Sequence, residues 1–342
     1  MKKVLTVALI GIMAIGCSKG ESPDPSGDGR IMFEAEAPST RSYFPGTSGL
    51  MYWSAYDNLA AYSFKGTGFT NAIVSDLCTI TSESVGTNAG KFSPKNFLKA
   101  STWFGNSATA SDTYSFYAYY PEFGAAATYN NGSVLLNIPA AQTGEFGRHQ
   151  ICSSAKVEMS YADVQKDRYV RFAFSPVTSL LRVRLVLTAD SDTDEVTIKQ
   201  LSATSANVDL CGNCKLTFPN TLAASTTSGS THTVNVNLLT PVTITKNADK
   251  NPYIDFVILP TAAAAGQLTF LAFMADGTRL TIAAKDLPAD GFASGSRYFL
   301  DREISVKIDV DSTPDASYID GGYAWDNNVE NDGSYTDGGV AW

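Results

Sequence analysis

The chain has 342 residues, 44% of them hydrophobic and 11% aromatic, with a formal net charge of −9. That sign of charge, with no basic tract anywhere, excludes nucleic acid or an anionic membrane surface as an electrostatic partner. The composition is globular, and its lean towards Thr, Val, Tyr and Phe favours strands.

Lys2 and Lys3, an apolar run over residues 4–15 and small residues before a cysteine make up an export signal. The run is shorter than the ~20 apolar residues a spanning helix needs. Ala14-Ile15-Gly16-Cys17 reads as a lipobox, in which a signal peptidase cuts before Cys17 and acyl chains on that cysteine anchor the protein. Residues 1–16 are thus expected to be a lipoprotein signal, and their loss takes the net charge to −11. Residues 17–30, which continue SKGESPDPSGDGR after Cys17, hold no large apolar side chain and read as a flexible tether.

The folded part is expected to begin near Ile31. About 280 residues separate it from Val310, more than one hydrophobic core usually serves, so two domains are expected. Alternation of period two recurs along this stretch: Ile31, Phe33, Ala35, Ala37; then Val134, Leu136, Ile138; later Val234, Val236, Leu238. Asn130-Asn131-Gly132, Asp276-Gly277 and residues 288–291 read as turns between strands. The fold class is therefore all-β, as tandem antiparallel β-sandwiches. The polar stretch 162–168 (ADVQKDR) marks the expected boundary, giving domains over 31–168 and 169–310.

Aromatic residues crowd 43–62 and 116–123. Most are expected in cores, while any that are exposed would make a sugar-stacking platform. His149 and His232 are the two histidines, and no metalloprotease, nucleophile-elbow or phosphate-loop motif accompanies them. No catalytic residue, metal site or cofactor is expected. Asp190-Ser-Asp192-Thr-Asp194-Glu195 alternates its oxygens but lacks the glycine and distal glutamate of a calcium loop, so it reads as a solvated acidic hairpin, with a weak calcium site as the alternative. Cys211-Gly-Asn-Cys214 lies between residues 207–210 and 215–218, which read as strands flanking a turn. A redox thiol wants a helix N-terminus, so the expected role is a disulfide, local or to Cys78 or Cys152.

Residues 311–342 form an acidic tail with an internal repeat: DASYIDGGYAW over 315–325 and DGSYTDGGVAW over 332–342. Two copies are too few for a solenoid. The tail reads either as a solvated stretch of Gly, Asp and Asn or, taken as strands that carry Ile319, Tyr323 and Trp325, then Val340 and Trp342, on one face, as a strand donated to another subunit.

Taken in order, several segments resemble the fimbrillin (Mfa-like) family of type V pilus proteins: Thr40-Arg41 behind an alternating strand; the Trp53, Asp57, Leu59, Tyr62 spacing; Phe116-Tyr-Ala-Tyr-Tyr120-Pro121; then Ile138-Pro139 and Gln142. Val170-Arg-Phe172-Ala-Phe174, the run to Val183, Phe256-Val-Ile-Leu259-Pro260 and Gly295-Ser-Arg-Tyr298 continue it. The resemblance implies two transthyretin-like β-sandwich domains, export as a lipoprotein to the outer membrane and cell surface, and, in polymerising members, a cut after an arginine that removes the first strand and leaves a groove. Arg41 is the better candidate for that cut and Arg30 the second. The expected function is a pilus subunit or pilus-associated adhesin that joins other subunits, of its own or another kind, by strand exchange; the alternative is a monomeric surface lipoprotein that binds a host or bacterial glycan or protein. Strand exchange further expects residues 31–37 to form a replaceable strand at the edge of its sheet, and a leading strand locked in the middle of the sheet would count against it.

Overall fold

The computed structural model describes residues 31–36, 53–69, 72–122, 127–130, 132–144, 148–225, 229–262 and 266–307. In chain order these form β1 (Met32–Glu36), β2 (Asn58–Lys65), β3 (Ala72–Ile80), β4 (Ala89–Pro94), helix α1 (Ala100–Phe104) and β5 (Thr113–Tyr120). Next come β6 (Ser133–Ile138), β7 (Ala141–Thr143), β8 (Cys152–Ser154), β9 (Val157–Ser160), helix α2 (Tyr161–Asp167), β10 (Tyr169–Phe172), β11 (Phe174–Pro176) and β12 (Ser179–Leu187). The rest are β13 (Glu195–Ser205), β14 (Cys211–Thr217), β15 (Thr221–Ala224), β16 (Ser230–Thr231), β17 (Thr233–Thr245), β18 (Tyr253–Ile258), β19 (Gln267–Met274), β20 (Arg279–Asp286) and β21 (Arg297–Ile304). The all-β class read from composition and alternation is the observed one.

One sheet runs β10-β1-β4-β3-β2-β5-β8-β11, with β9 beside β5. Its two end strands, β10 and β11, are separated in sequence by Ala173 alone, so one continuous segment edges the sheet on both sides and the sheet wraps round on itself. Phe33, Trp53, Phe92, Trp103, Phe116 and Phe172 fill the inside. Three further sheets, β18-β12-β21, β20-β19-β13-β17-β7 and β15-β14-β16 with β6 beside β14, surround a second core. There Phe256 of β18 meets Phe270 of β19 across the gap between sheets, with ring centroids 6.5 Å apart.

Strand β5 explains the aromatic density. Its alternate residues Tyr114, Phe116, Ala118 and Tyr120 point into the first core, while Tyr117 and Tyr119 point into the second, beside Tyr62, Phe64 and Phe218. A strand covered on both faces carries apolar side chains along most of its length, and in β5 the buried exception is Ser115, whose hydroxyl donates to the Gly66 carbonyl.

The structure changes three expectations. The sheets are not partitioned at residue 168: β10 and β11 pair back into the first sheet, while β6 and β7 pair with β14 and β17 of the later part. The pairing is not purely antiparallel, since β1 with β10, β12 with β21 and β7 with β17 run parallel. The polar stretch 162–168 is mostly helix α2, begun by Ser160, whose hydroxyl accepts from the Asp163 N–H at 3.1 Å, and ended by left-handed Arg168. A short amphipathic helix exposes polar side chains as a linker does, and only Val164 of this one is buried.

Candidate strand-acceptor site

Strand β1 lies between two partners. On one side it pairs parallel with β10, from Met32 opposite Tyr169 to Ala35 opposite Phe172; on the other it pairs antiparallel with β4, from Phe33 opposite Phe92 to Glu36 opposite Ala89. The leading strand is thus not the edge strand that was expected but an interior one. Removing it would leave two unpaired strand edges facing one another across a slot.

The slot is shaped by side chains. Ile31 and Phe33 are fully buried, and Phe33 meets Trp103 edge-on at 4.9 Å and stacks on Phe172 at 5.4 Å. Burial of each such side chain stabilises by about 1.5–3 kcal/mol. At the other end Ala35 faces Gly90, and the Trp53 indole N–H donates to the Ala35 carbonyl at 3.2 Å. A Cβ on Gly90 would lie 2.6 Å from the Trp53 indole nitrogen, so the glycine is what lets the indole lie there. The slot is deep at Ile31 and Phe33 and shallow at Ala35.

Its mouth is built by residues that carry no periodic signal. Asp76, buried in β3, accepts from the backbone N–H groups of Asn96 and Phe97 at 2.7 and 2.9 Å and from the Asn96 amide at 2.8 Å. The loop so held presents the Leu98 carbonyl to the Ile31 N–H at 3.1 Å, and the Arg168 carbonyl takes the Met32 N–H at 2.9 Å. On the outer face Arg171 pairs with Glu34 at 2.9 Å and with Asp167. A charged residue inside an apolar run was the one trace of Asp76 in the sequence.

Of the residues expected to act, Cys17, Arg41 (with Arg30), Ile319, Tyr323, Trp325, Val340 and Trp342 lie outside the described residues. Cys211 and Cys214 do not lie in a turn between strands: both stand on the single strand β14, buried, and with Cys78 and Cys152 they are free thiols, so the disulfide expected there is not formed. Two residues three apart on a strand are separated by roughly 10 Å, well beyond disulfide reach. Burial pushes each of these two thiols up to about 12. In the acidic hairpin, Lys307 pairs with Asp190 at 3.2 Å and Asp192 at 3.7 Å, and Lys246 with Asp194 at 3.0 Å. Ammonium groups neutralise the carboxylates that a cation would need. His149 accepts from the Thr143 N–H at 3.2 Å, and His232 lies 3.4 Å from Asp209. Among the described residues there is no group of three or more metal-type ligands, and no helix long and apolar enough to cross a membrane. An open cleft of about 650 Å³ is lined by Pro121, Leu135, Leu136, Arg148, His149 and Asn213 among others.

Gln142, read from sequence only as part of a segment, acts as a surrogate strand. Fully buried, its amide donates to the Val257 carbonyl at 2.7 Å and its carbonyl accepts the Val257 N–H at 2.9 Å, closing the outer edge of β18.

Residues 40–315 match the family described as fimbrillin-like. The chain belongs to the fimbrillin-like family. As a fimbrillin-like protein it is a pilus-related protein of the cell surface. Among solved structures, one from Bacteroides uniformis and one from Bacteroides ovatus, both named for cell adhesion, share the fold with a TM-score of 0.52 each. They are 19% and 13% identical to this chain, covering 81% of it in both cases and 95% and 92% of their own lengths. No curated protein matches the chain. The fimbrillin-like match begins after β1 and ends where the tail repeats begin, so the two segments expected to take part in strand exchange flank it.

Proposed function

We propose that this protein is a fimbrillin-type pilus subunit or pilus-borne adhesin, anchored in the outer membrane through acylated Cys17 and joined to its neighbour by strand exchange once a cut after Arg41 frees β1. The observation that carries this reading is the position of β1: a short strand, hydrogen-bonded on both sides and filling deep apolar pockets with Ile31 and Phe33, ahead of the family match. Loss of an edge strand would leave one open edge. Loss of this one leaves a slot that pairs an incoming strand along both of its sides, which makes a strong clamp out of few residues.

Limited trypsin digestion of the full chain tests it. Cleavage after Arg41 should be followed by a ladder of oligomers on native gels, whereas cleavage after Arg30 alone, which leaves β1 attached, should give none. Clipped protein that stays monomeric, with β1 lost, overturns the reading. The glycan-binding alternative drew on exposed aromatic residues in the Tyr- and Phe-rich segments; among the described residues there, Tyr62, Tyr117, Tyr119 and Tyr120 are buried and Tyr56 is exposed.

A further inference from the structure

Strand β6 carries an open backbone edge that faces the cleft beside the second core. Among the described residues its one strand partner is β14, antiparallel from Ser133 opposite Thr217 to Ile138 opposite Gly212. Just ahead of that ladder the Phe218 N–H donates to the Gly132 carbonyl at 2.9 Å, which makes these two a hydrogen-bonded pair. Such pairs recur at every second residue of an antiparallel ladder, so Val134, Leu136 and Ile138 direct their backbone groups to β14. Ser133, Leu135 and Asn137 direct theirs the other way. The far side of β14 keeps the same phase, since the Ser225 N–H donates to the Asn213 carbonyl at 2.9 Å.

Ser133 is closed off: its N–H donates to the Asn130 carbonyl at 3.2 Å, and its own carbonyl accepts from the Asn130 N–H at 2.8 Å. Among the described residues Leu135 and Asn137 have no such backbone partner, and both line the cleft with Leu136 between them. Consecutive strand residues point to opposite faces, so a cleft touched by all three meets the strand at its edge. Two N–H and C=O sets are thus presented to it, roughly 7 Å apart. Edge strands are ordinarily blunted by charge or proline. Strand β6, Ser-Val-Leu-Leu-Asn-Ile, has neither, and Leu135 is 61% exposed. The edge of β18, by contrast, is shut by Gln142.

We infer that this cleft binds an extended, uncharged peptide segment of another protein, which adds to β6 as a strand over residues 135–137. The site is separate from the slot at β1 and needs no cleavage. A row of backbone groups at strand spacing takes another backbone as its complement, one peptide residue serving both groups of Leu135 and the next but one serving both of Asn137. The hydroxyls of a saccharide do not repeat at that spacing. On the walls Arg148 and Glu122 carry opposite charges, so the occupant that matches them bears no net charge. Leu135, Leu136 and Ile151 give its side chains apolar contacts. The volume, about 650 Å³, falls in the range of ligand-binding clefts.

Amide hydrogen exchange on the intact, uncleaved chain tests the inference, with acetylated and amidated Thr-Val-Thr-Val-Thr at millimolar concentration as the probe. In the free protein the amides of Leu135 and Asn137 should exchange rapidly while those of Leu136 and Ile138 are protected. The probe should slow the first two roughly tenfold or more and leave the second two unchanged. The same peptide methylated on its backbone nitrogens, which cannot donate, should slow neither. Leu135→Pro removes one outward N–H without touching the ladder to β14, so it should keep the native melting temperature and weaken the protection of Asn137 by the probe. Slow exchange at Leu135 and Asn137 in the free, dilute chain overturns the open edge. Equal protection by the methylated peptide overturns backbone addition, and protection by maltotriose but not by the peptide overturns the choice of a peptide. Protection that rises with protein concentration alone overturns the foreign partner in favour of a second copy. Exchange that the peptide leaves unchanged at both residues overturns the site.

Discussion

The first and last described strands, β1 and β21, make an instructive pair. Both run parallel to a partner distant in sequence, β10 and β12 respectively. Yet β1 is enclosed between two neighbours and its ring Phe33 is wholly buried, whereas β21 closes a three-stranded sheet at its edge and its ring Phe299 is 60% exposed. The same kind of ladder thus serves two ends. An enclosed strand is a plug whose removal opens a shaped slot; an edge strand is a border whose removal only moves the border inwards. Exposure of Phe299 is moderated by its surroundings: Tyr253 meets it edge-on at 5.6 Å, and the Arg182 guanidinium lies over both rings.

Substitutions can break this contrast, beginning with the largest effects. Phe33→Ala should destabilise the full chain by about 3–5 kcal/mol, because the surrounding rings of Trp103 and Phe172 cannot collapse into the void. Phe299→Ala should cost no more than about 0.5 kcal/mol. Denaturant melts of the two variants would decide, and equal losses would show that β1 is not a plug. On the neighbour of β21, Arg182 and Asp255 form a buried two-point ion pair at 2.7 and 3.3 Å. Desolvation pushes the Asp255 carboxyl up despite that partner. Arg182→Ala, which leaves the carboxylate buried and unpaired, should therefore cost about 3–5 kcal/mol, as much as the core ring.

Gln142→Ala should fall between, at about 1–3 kcal/mol, since it strips both backbone groups of Val257 of their partners. Because the same change opens the edge of β18, light-scattering measurements should also detect more association at high concentration. Thiol labelling at pH 8 is the next test. Burial holds the Cys211 and Cys214 thiols up at about 12 and raises that of Cys78 well above its ordinary value, so none should react until the chain unfolds. Ready labelling of Cys211 and Cys214 in the native protein would show that β14 opens.

A pH dependence on β21 is small as well. Its Asp301 carboxyl sits below the usual range because Arg184 hydrogen-bonds it. A carboxyl whose folded-state value is depressed stabilises the fold above its unfolded value of about 4, and that contribution fades as pH falls through it. For a pair this open to solvent the change is under about 1 kcal/mol, and Asp301→Asn should flatten the acid limb of a stability–pH curve by no more than that.

Much of this was legible in the residues. Alternation placed β1 to within a residue, and the Asn-Gly and Asp-Gly turns stand where the backbone needs positive φ, at Gly132 and Gly277. The crowding of Tyr and Phe in β5 announced burial. It could not announce burial on two sides, because a run without polar alternation reads the same in a buried strand of either kind. The CGNC segment misled for a related reason: glycine and asparagine favour turns, but Gly212, at φ 104°, is accommodated within strand β14.

The sequence by itself determined the strand-rich class, the export and lipidation signals as expectations, the family resemblance, and the internal repeat of the tail. All of these are local patterns, set by side-chain chemistry and spacing along the chain. Only the tertiary structure decided that β1 is enclosed, that Asp76 and Gln142 supply backbone partners across 20 and 115 residues, and that the two halves trade strands. Those are long-range pairings, and backbone N–H and C=O groups are the same at every residue. Which of them meet is settled by how whole sheets pack, and no short stretch of side chains records it.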